Sequence, residues 1–405
     1  QRSFFTDFWR NRDFYVSKGI YSFGNSHHFC IFTTENSGKC TTQLGSTRIM
    51  EEKKLQAVLD EWQRLLPLSE EDRNRLRRRF TVDFNYNSNH LEGNTLTYGQ
   101  TEILLLFGKV IGEAELKDVQ DMTASNVALK MMEEESGVKD IPLTQNFIRT
   151  LHRTLLRDDY TVYRSLPGGV QTSYVVHAGQ YKTRPNSVIM RYGDRFEYAS
   201  PEETPALMDG LVDWYNQAEQ EGVLTPAELA IMFHYRYIRI HPFEDGNGRI
   251  ARMMVNYILA RHGYPMVVVR SRSKKEYLEA LHRADLVVGD APADGANASL
   301  KDIRPFYKYM NSLFTEEIKN DVLFVTERDS KIWWYDGQRI VFRTETYNKI
   351  LRTLQAENRA TLAYLQKEVG VNRSALQKML ANLQEKGYVE RDEKGVWRVY
   401  ITPSV

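Results

Sequence analysis

His241-Pro242-Phe243-Glu244-Asp245-Gly246-Asn247-Gly248-Arg249-Ile250-Ala251-Arg252 decides how this 405-residue chain is read. A segment with Leu229, Ile231, Met232, Phe233, Tyr237 and Ile240 at helical spacing leads into it. Gly246 and Gly248 permit backbone geometry that side chains forbid, so successive N–H groups can turn inward as an anion-binding nest. The helix expected to begin near Gly248 aims the positive end of its dipole into the same space. Arg249 and Arg252 share a helical face and can fork onto phosphate oxygens. Asp245 is a hard oxygen ligand, suited to a Mg²⁺ ion that keeps most of its waters. His241 alone in this stretch has an ordinary pKa that suits proton abstraction near neutrality. Phe243 is expected to pin the loop into the core. A lone Gly-x-Gly would read as a helix start with a solvated arginine pair; these groups together point to polyphosphate chemistry.

The stretch resembles, without a gap, the signature of the Fic family, His-Pro-Phe-x-Asp/Glu-Gly-Asn-Gly-Arg-x-x-Arg. The resemblance implies a mainly α protein whose Fic-type helical core carries a β-hairpin flap and transfers AMP from ATP to a protein hydroxyl. His241 is then the catalytic base, and Gly246, Asn247, Gly248, Arg249 and Arg252 hold the nucleotide, with Mg²⁺ on Asp245. The Doc-type branch, a kinase with its nucleotide reversed, typically carries Lys where this chain has Gly248, so the glycine looks like the nucleotidylating branch. Tyr277 matches a position where Fic proteins often place an aromatic near the nucleoside, although a tyrosine on a helix also suits a core.

Upstream, Ser88-Asn89-His90-Leu91-Glu92-Gly93 resembles the family's inhibitory motif, Ser/Thr-x-x-x-Glu-Gly/Asn. A Glu92 carboxylate paired with Arg252 would occupy the guanidinium that should hold the γ-phosphate, leaving ATP only a wrong pose. Read without the resemblance, the same residues are a helix end with Gly93 as a left-handed cap.

Composition sets outer bounds. With 42% hydrophobic residues, 26% charged and a net charge of +1, the chain is ordinary for a globular protein. That balance argues against a general nucleic-acid-coating or membrane-binding surface. No apolar run approaches the roughly 20 residues that span a bilayer. Two cysteines, Cys30 and Cys40, are too few for a disulfide scaffold or a cysteine zinc site. A cytoplasmic location is the simplest expectation.

Four regions are expected. Residues 1–49 are crowded with Phe, Tyr, Ser and Asn without a sustained period, and read as a non-native extension before a start at Met50, or else as a genuine arm. Residues 50–139 are N-terminal helices with the inhibitory motif, and 140–319 are the catalytic core. Within that core His152 and His234 read as structural. Tyr174-Val175-Val176-His177 and Val188-Ile189-Met190 read as the two strands of one hairpin. Such a hairpin resembles the flap, which docks a target segment by strand addition near 174–190; a purely structural hairpin is the other reading. Residues 287–299 read as a loop.

Residues 320–405 are expected to hold a hairpin turning at Asp336-Gly337, then helices near 344–356, 360–369 and 373–386 and two strands, which resemble a winged helix. Between 345 and 400, ten Lys and Arg face seven Asp and Glu, a weak phosphate footprint. DNA binding, protein contact and homodimerisation all stay open for this module. For the whole chain, removal of AMP from a modified protein, a donor such as UTP, and a nucleotide-sensing DNA-binding regulator are the alternatives to AMP addition.

Overall fold

The computed structural model describes residues 53–110, 112–165, 171–186, 188–189, 195–357 and 360–399. The expected extension at 1–49, both cysteines, Gly168-Gly169 and Met190 lie outside the described residues.

The first half is helical. Helix α1 covers 53–64. Helix α2, Glu70–His90, starts at Ser69, whose hydroxyl accepts the Asp72 N–H at 3.1 Å, and places three acidic residues in its first turn. A Thr97/Gln100 capping box opens α3, Tyr98–Phe107, and α4 spans Leu116–Ser136. Helix α5, Gln145–Leu156, is capped by Thr144 and buries Phe147, Ile148, Leu151, His152 and Leu155 along one face.

The β structure here departs from expectation. Strand β1, Tyr160–Ser165, pairs antiparallel with β2, Gln171–Val176, while β3, Val188–Ile189, pairs with β4, Arg195–Phe196. Residues 174–177 and 188–190 therefore do not form one hairpin. The apolar run at 174–177 found a nearer partner in Tyr160-Thr161-Val162-Tyr163, an equally β-favouring stretch that directly follows α5.

Helices α6, Thr204–Glu221, and α7, Pro226–Ile240, follow; a Thr225/Glu228 capping box and Pro226 at the first position start α7. Every residue of α7 from Ala227 to Ile240 is buried, so it is the central helix of the core. Helix α8, Asn247–Arg261, packs against it, and α9, Lys274–Val288, α10, Pro292–Ala296, and α11, Arg304–Thr326, complete the layer. The stretch expected as loop thus contains α10. The carbonyls around it are held by the buried Arg236, which reaches Ala298 O at 3.0 Å, and by Arg239, which reaches Gly289 O at 2.7 Å.

Strands β5, Ile332–Tyr335, and β6, Gln338–Val341, form the expected hairpin. Helices α12, Glu345–Glu357, α13, Leu362–Val369, and α14, Arg373–Glu385, precede the wing of β7, Val389–Arg391, and β8, Trp397–Val399. This is a winged helix. Since α11 continues to Thr326, the boundary expected at 319–320 falls inside a helix.

Two hydrophobic cores result, and neither follows the expected regions. Leu55, Leu59, Phe84 and Met132 from the N-terminal helices join one core with Leu151, Phe233, Met254 and Phe314. Val82 and Tyr98 instead join the winged-helix core beside Trp333, Tyr335, Leu351 and Leu380. No helix among the described residues is long and apolar enough to cross a membrane. Leu151 is fully buried, so Leu151→Ala should lower stability by about 2–5 kcal/mol, read as an earlier urea-unfolding midpoint.

Candidate active site

The turn between α7 and α8 carries the signature residues. His241 ends α7 in the left-handed region, φ +51°, and its N–H still donates to Tyr237 O at 2.9 Å. A non-glycine residue held there is strained, and such strain persists only where surroundings impose it. Its ring stacks on Tyr198 with centroids 4.1 Å apart. Nδ1 lies 3.3 Å from Ile238 O. A carbonyl can only accept, so Nδ1 carries the proton. Burial, then the adjacent Lys182 ammonium, pulls the imidazole down to about 3, so it is neutral at physiological pH.

Lys182 and Asn186 grip this turn from outside the signature. The Lys182 Nζ reaches Ile240 O at 3.1 Å, His241 O at 2.9 Å and Asn186 Oδ1 at 2.9 Å, three acceptors for the three donors of an ammonium. Asn186 Nδ2 donates to His241 O and Phe243 O at 3.1 and 2.9 Å. Burial brings the Lys182 amine down to about 7. Nothing in the turn-prone sequence around Pro185 marks these two as partners of His241.

His152 supports the turn from α5. Its ring stacks on Phe243 at 3.7 Å, and Phe243 is fully buried as its anchoring role required. The His152 Nδ1 accepts the Gly179 N–H at 2.9 Å, so Nε2 must be the protonated nitrogen that donates to Asp245 O at 2.9 Å. The residue read as merely structural therefore fixes the backbone of Asp245.

Gly246, φ +78°, caps α8 and turns the chain so that the following amides open the helix. Asn247 is buried with both polar side-chain atoms on Phe243, Oδ1 accepting its N–H at 3.0 Å and Nδ2 donating to its carbonyl at 2.7 Å. Any contact it makes to phosphate comes from its main-chain N–H. Arg249 is buried, its Nη2 lies 3.9 Å from Asp245 Oδ2, and its Nε has no hydrogen-bond partner among the described residues. A buried guanidinium left partly unanswered is where an anion is expected.

Asp245 is half-exposed at the side chain. Its Oδ1 accepts the Gly246 N–H at 2.7 Å and Oδ2 accepts the Tyr160 hydroxyl. Burial raises its pKa, but Arg249, the Tyr160 hydroxyl and the Gly246 amide outweigh that and hold the carboxyl below its usual value. Each oxygen retains a second lone pair, so a cation fits here. Among the described residues no cluster of three or more His, Cys, Asp or Glu could hold a metal. The donor set suits a hydrated Mg²⁺ shared with phosphates, not a protein cage. Tyr160 comes from the strand that the sequence reading passed over.

Arg252 lies opposite. It is 4% exposed; Nη2 meets Glu92 Oε1 at 2.7 Å and Ser88 O at 2.8 Å, and Nε donates to Ser88 Oγ at 3.0 Å. Ser88 sits in the last turn of α2, with Glu92 and Gly93, φ +96°, in the turns just beyond. A Cβ on Gly248 would lie 2.3 Å from Glu92 Oε1, so glycine is what lets the carboxylate approach the start of α8. The Tyr277 hydroxyl lies 2.8 Å from His234 Nε2. The tyrosine ring joins Leu91, Ile238, Leu278 and Leu281 as the wall of a cleft, with Glu92, Gly248, Arg252 and Lys274 at the polar end. The apolar wall thus ends at two cations and the Glu92 carboxylate.

The Fic/DOC family model matches residues 142–259, and a winged helix-turn-helix DNA-binding model matches 343–390. A Fic domain containing signaling protein from Bacteroides thetaiotaomicron VPI-5482 is 50% identical with a TM-score of 0.62, covering 67% of this chain and 96% of that one. A segment of Fic-1 from Caenorhabditis elegans gives a TM-score of 0.54 at 25% identity, covering 71% and 78%. This chain belongs to the Fic/DOC family and carries a C-terminal winged helix. Protein adenylyltransferase fic-1 of C. elegans is 30% identical over 226 residues, 56% of this chain but 38% of that protein. Protein adenylyltransferase Fic of Nematostella vectensis is 28% identical over 225 residues, 45% of its length. The chain thus spans less than half of the curated relatives it matches.

Burial brings His152 down to about 4, so ¹⁵N NMR should find this ring neutral, with Nε2 protonated, throughout pH 5–8. A midpoint near the ordinary value of about 6.5 would contradict the assignment.

Proposed function

We propose that this chain transfers AMP from ATP to a Ser, Thr or Tyr hydroxyl of a target protein and that Glu92 restrains it. The observation that carries the reading is the 2.7 Å contact between Glu92 and the buried Arg252, at the end of a helix that opens on an amide nest. The alcohol oxygen attacks the α-phosphorus, the bond to the β-phosphate oxygen breaks, pyrophosphate leaves, and the alcohol proton passes to His241 Nε2. The anionic triphosphate beside this ring raises its proton affinity from the depressed resting value. Backbone donors at Gly246 to Gly248 stabilise charge on the α-phosphate, and Arg249 and Arg252 hold the β and γ end. A Mg²⁺ held by Asp245 would neutralise and orient the phosphate oxygens. The chain's contribution is positioning and electrostatics.

Glu92 acts by occupancy: while it holds Arg252, the γ-phosphate has no cation there. Removing the carboxylate leaves the guanidinium for the nucleotide. The target segment docks along 174–190 and the neighbouring β1–β2 hairpin, where Tyr163 is 73% exposed and Val175 40% exposed. A DNA contact by the winged helix would use the exposed Arg373, Ser374, Gln377 and Lys378 of α14. The same Glu92, directing a water, is the basis for AMP removal as the second reading.

With α-labelled ATP and cell lysate, Glu92→Gly should raise label transfer on the order of 100-fold, the scale set by a misplaced reacting group; parental activity in a folded variant would refute restraint by Glu92. His241→Ala in that background should lower transfer by about 100- to 10,000-fold with ATP affinity retained. Undiminished turnover would exclude His241 as the base.

A further inference from the structure

Three carboxylates from distant parts of the chain meet on Arg270, which is 4% exposed. Its Nη1 lies 2.9 Å from Asp83 Oδ2 on α2 and 3.2 Å from Asp336 Oδ1, while Nε and Nη2 fork onto Glu317 of α11 at 2.9 and 2.6 Å. Asp336 and Gly337 are the two turn residues between β5 and β6, with φ of +45° and +68°. A Cβ on Gly337 would stand 2.4 Å from Arg270 Cζ, so only glycine lets the guanidinium lie against this turn. Arg272 adds contacts to Asp336 O and Oδ2 at 2.6 and 3.1 Å.

The same turn grips the inhibitory helix. Asp336 Oδ1 accepts from Asn87 Nδ2 at 2.7 Å, and Asn87 Oδ1 accepts the Ser271 N–H at 2.7 Å. Asn87 directly precedes Ser88, which accepts twice from Arg252. Apolar contacts run the same way, since Val82 and Tyr98 belong to the winged-helix core. The Tyr98 ring lies 4.4 Å from Tyr335, and its hydroxyl donates to Asp83 Oδ1 at 2.6 Å. The last turn of α2 is therefore fastened on one side to the catalytic helix and on the other to the C-terminal module.

We propose that the β5–β6 turn is the anchor that keeps Glu92 seated on Arg252, so that shifting the C-terminal module releases the inhibitory helix from the nucleotide site. The release step rests on the reading of Glu92 given above. With the turn withdrawn, Asn87 and Arg270 each lose a buried contact to Asp336, and uncompensated buried polar groups destabilise the segment that carries them. The end of α2 is then the element with two states, one docked between the two modules and one released.

The test uses the full chain carrying Asp336→Gly, which removes the carboxylate while Gly-Gly keeps a turn of positive φ at both positions. Arg272→Ala, at a part-exposed site, is the second variant should the first fail to fold. Amide exchange at 85–94 should quicken by roughly tenfold, about 1.4 kcal/mol of local opening, while α7 and α8 keep parental rates. Transfer of AMP should rise toward that of Glu92→Gly, and the double variant should gain nothing further. Unchanged exchange at 85–94, acceleration spread evenly over the chain, or faster exchange without a rise in transfer when Glu92→Gly is active would each overturn the proposal. If Glu92→Gly itself transfers nothing, the transfer reading fails, and the exchange pattern still judges the anchor.

Discussion

Arg252 is buried among α2, α8 and α9, and a charge so placed has to be answered by something. In the resting chain the answers are Glu92 and the hydroxyl and carbonyl of Ser88. Removing Glu92 would leave the buried guanidinium without its carboxylate, which is unfavourable unless another anion takes its place. A triphosphate is such an anion, so under the proposed function the carboxylate and the nucleotide compete for one guanidinium. On that reading, restraint and substrate binding are two uses of the same contact.

That competition has meaning only if the neighbouring groups stay still. The carbonyls of Ile240, His241, Phe243 and Asp245 are held by Lys182, Asn186 and His152, and Phe243 is clamped beneath by the His152 ring. The turn is therefore held in place before any ligand arrives, as electrostatic catalysis under the proposed function requires. Farther out, the N-terminal helices divide their buried residues between the two cores, Phe84 facing one and Val82 the other. Helix α2 is a shared wall between the two cores, which gives the winged helix a physical path to Arg252.

Sequence revealed the groups whose relation is local. The spacing of His241 to Arg252 is set by one turn and one helix, so their convergence follows from the chain itself, and Glu92 could be matched to Arg252 because a motif carried the pairing. The helices and the wing were legible because apolar periodicity and caps such as Thr225 with Glu228 are also local. Tyr160, Lys182 and Asn186 were not legible, since each reaches the turn by tertiary approach and none carries a period or spacing that points there. Strand pairing failed for the same reason: two β-favouring stretches on either side of 174–177 compete, and contacts beyond the strands choose between them. The Asp83–Arg270–Asp336 cluster joins residues up to 253 positions apart, and no local pattern announces it.

The central claim is that Glu92 stands where the γ-phosphate must be held. Calorimetric titration of the parent and of Glu92→Gly with ATP and with ADP, each with Mg²⁺, separates the third phosphate from the rest of the nucleotide. Removal of the carboxylate should tighten ATP binding while leaving ADP affinity nearly unchanged. An equal change for both nucleotides, or none for either, would mean that Arg252 is not the contested cation and would contradict the account.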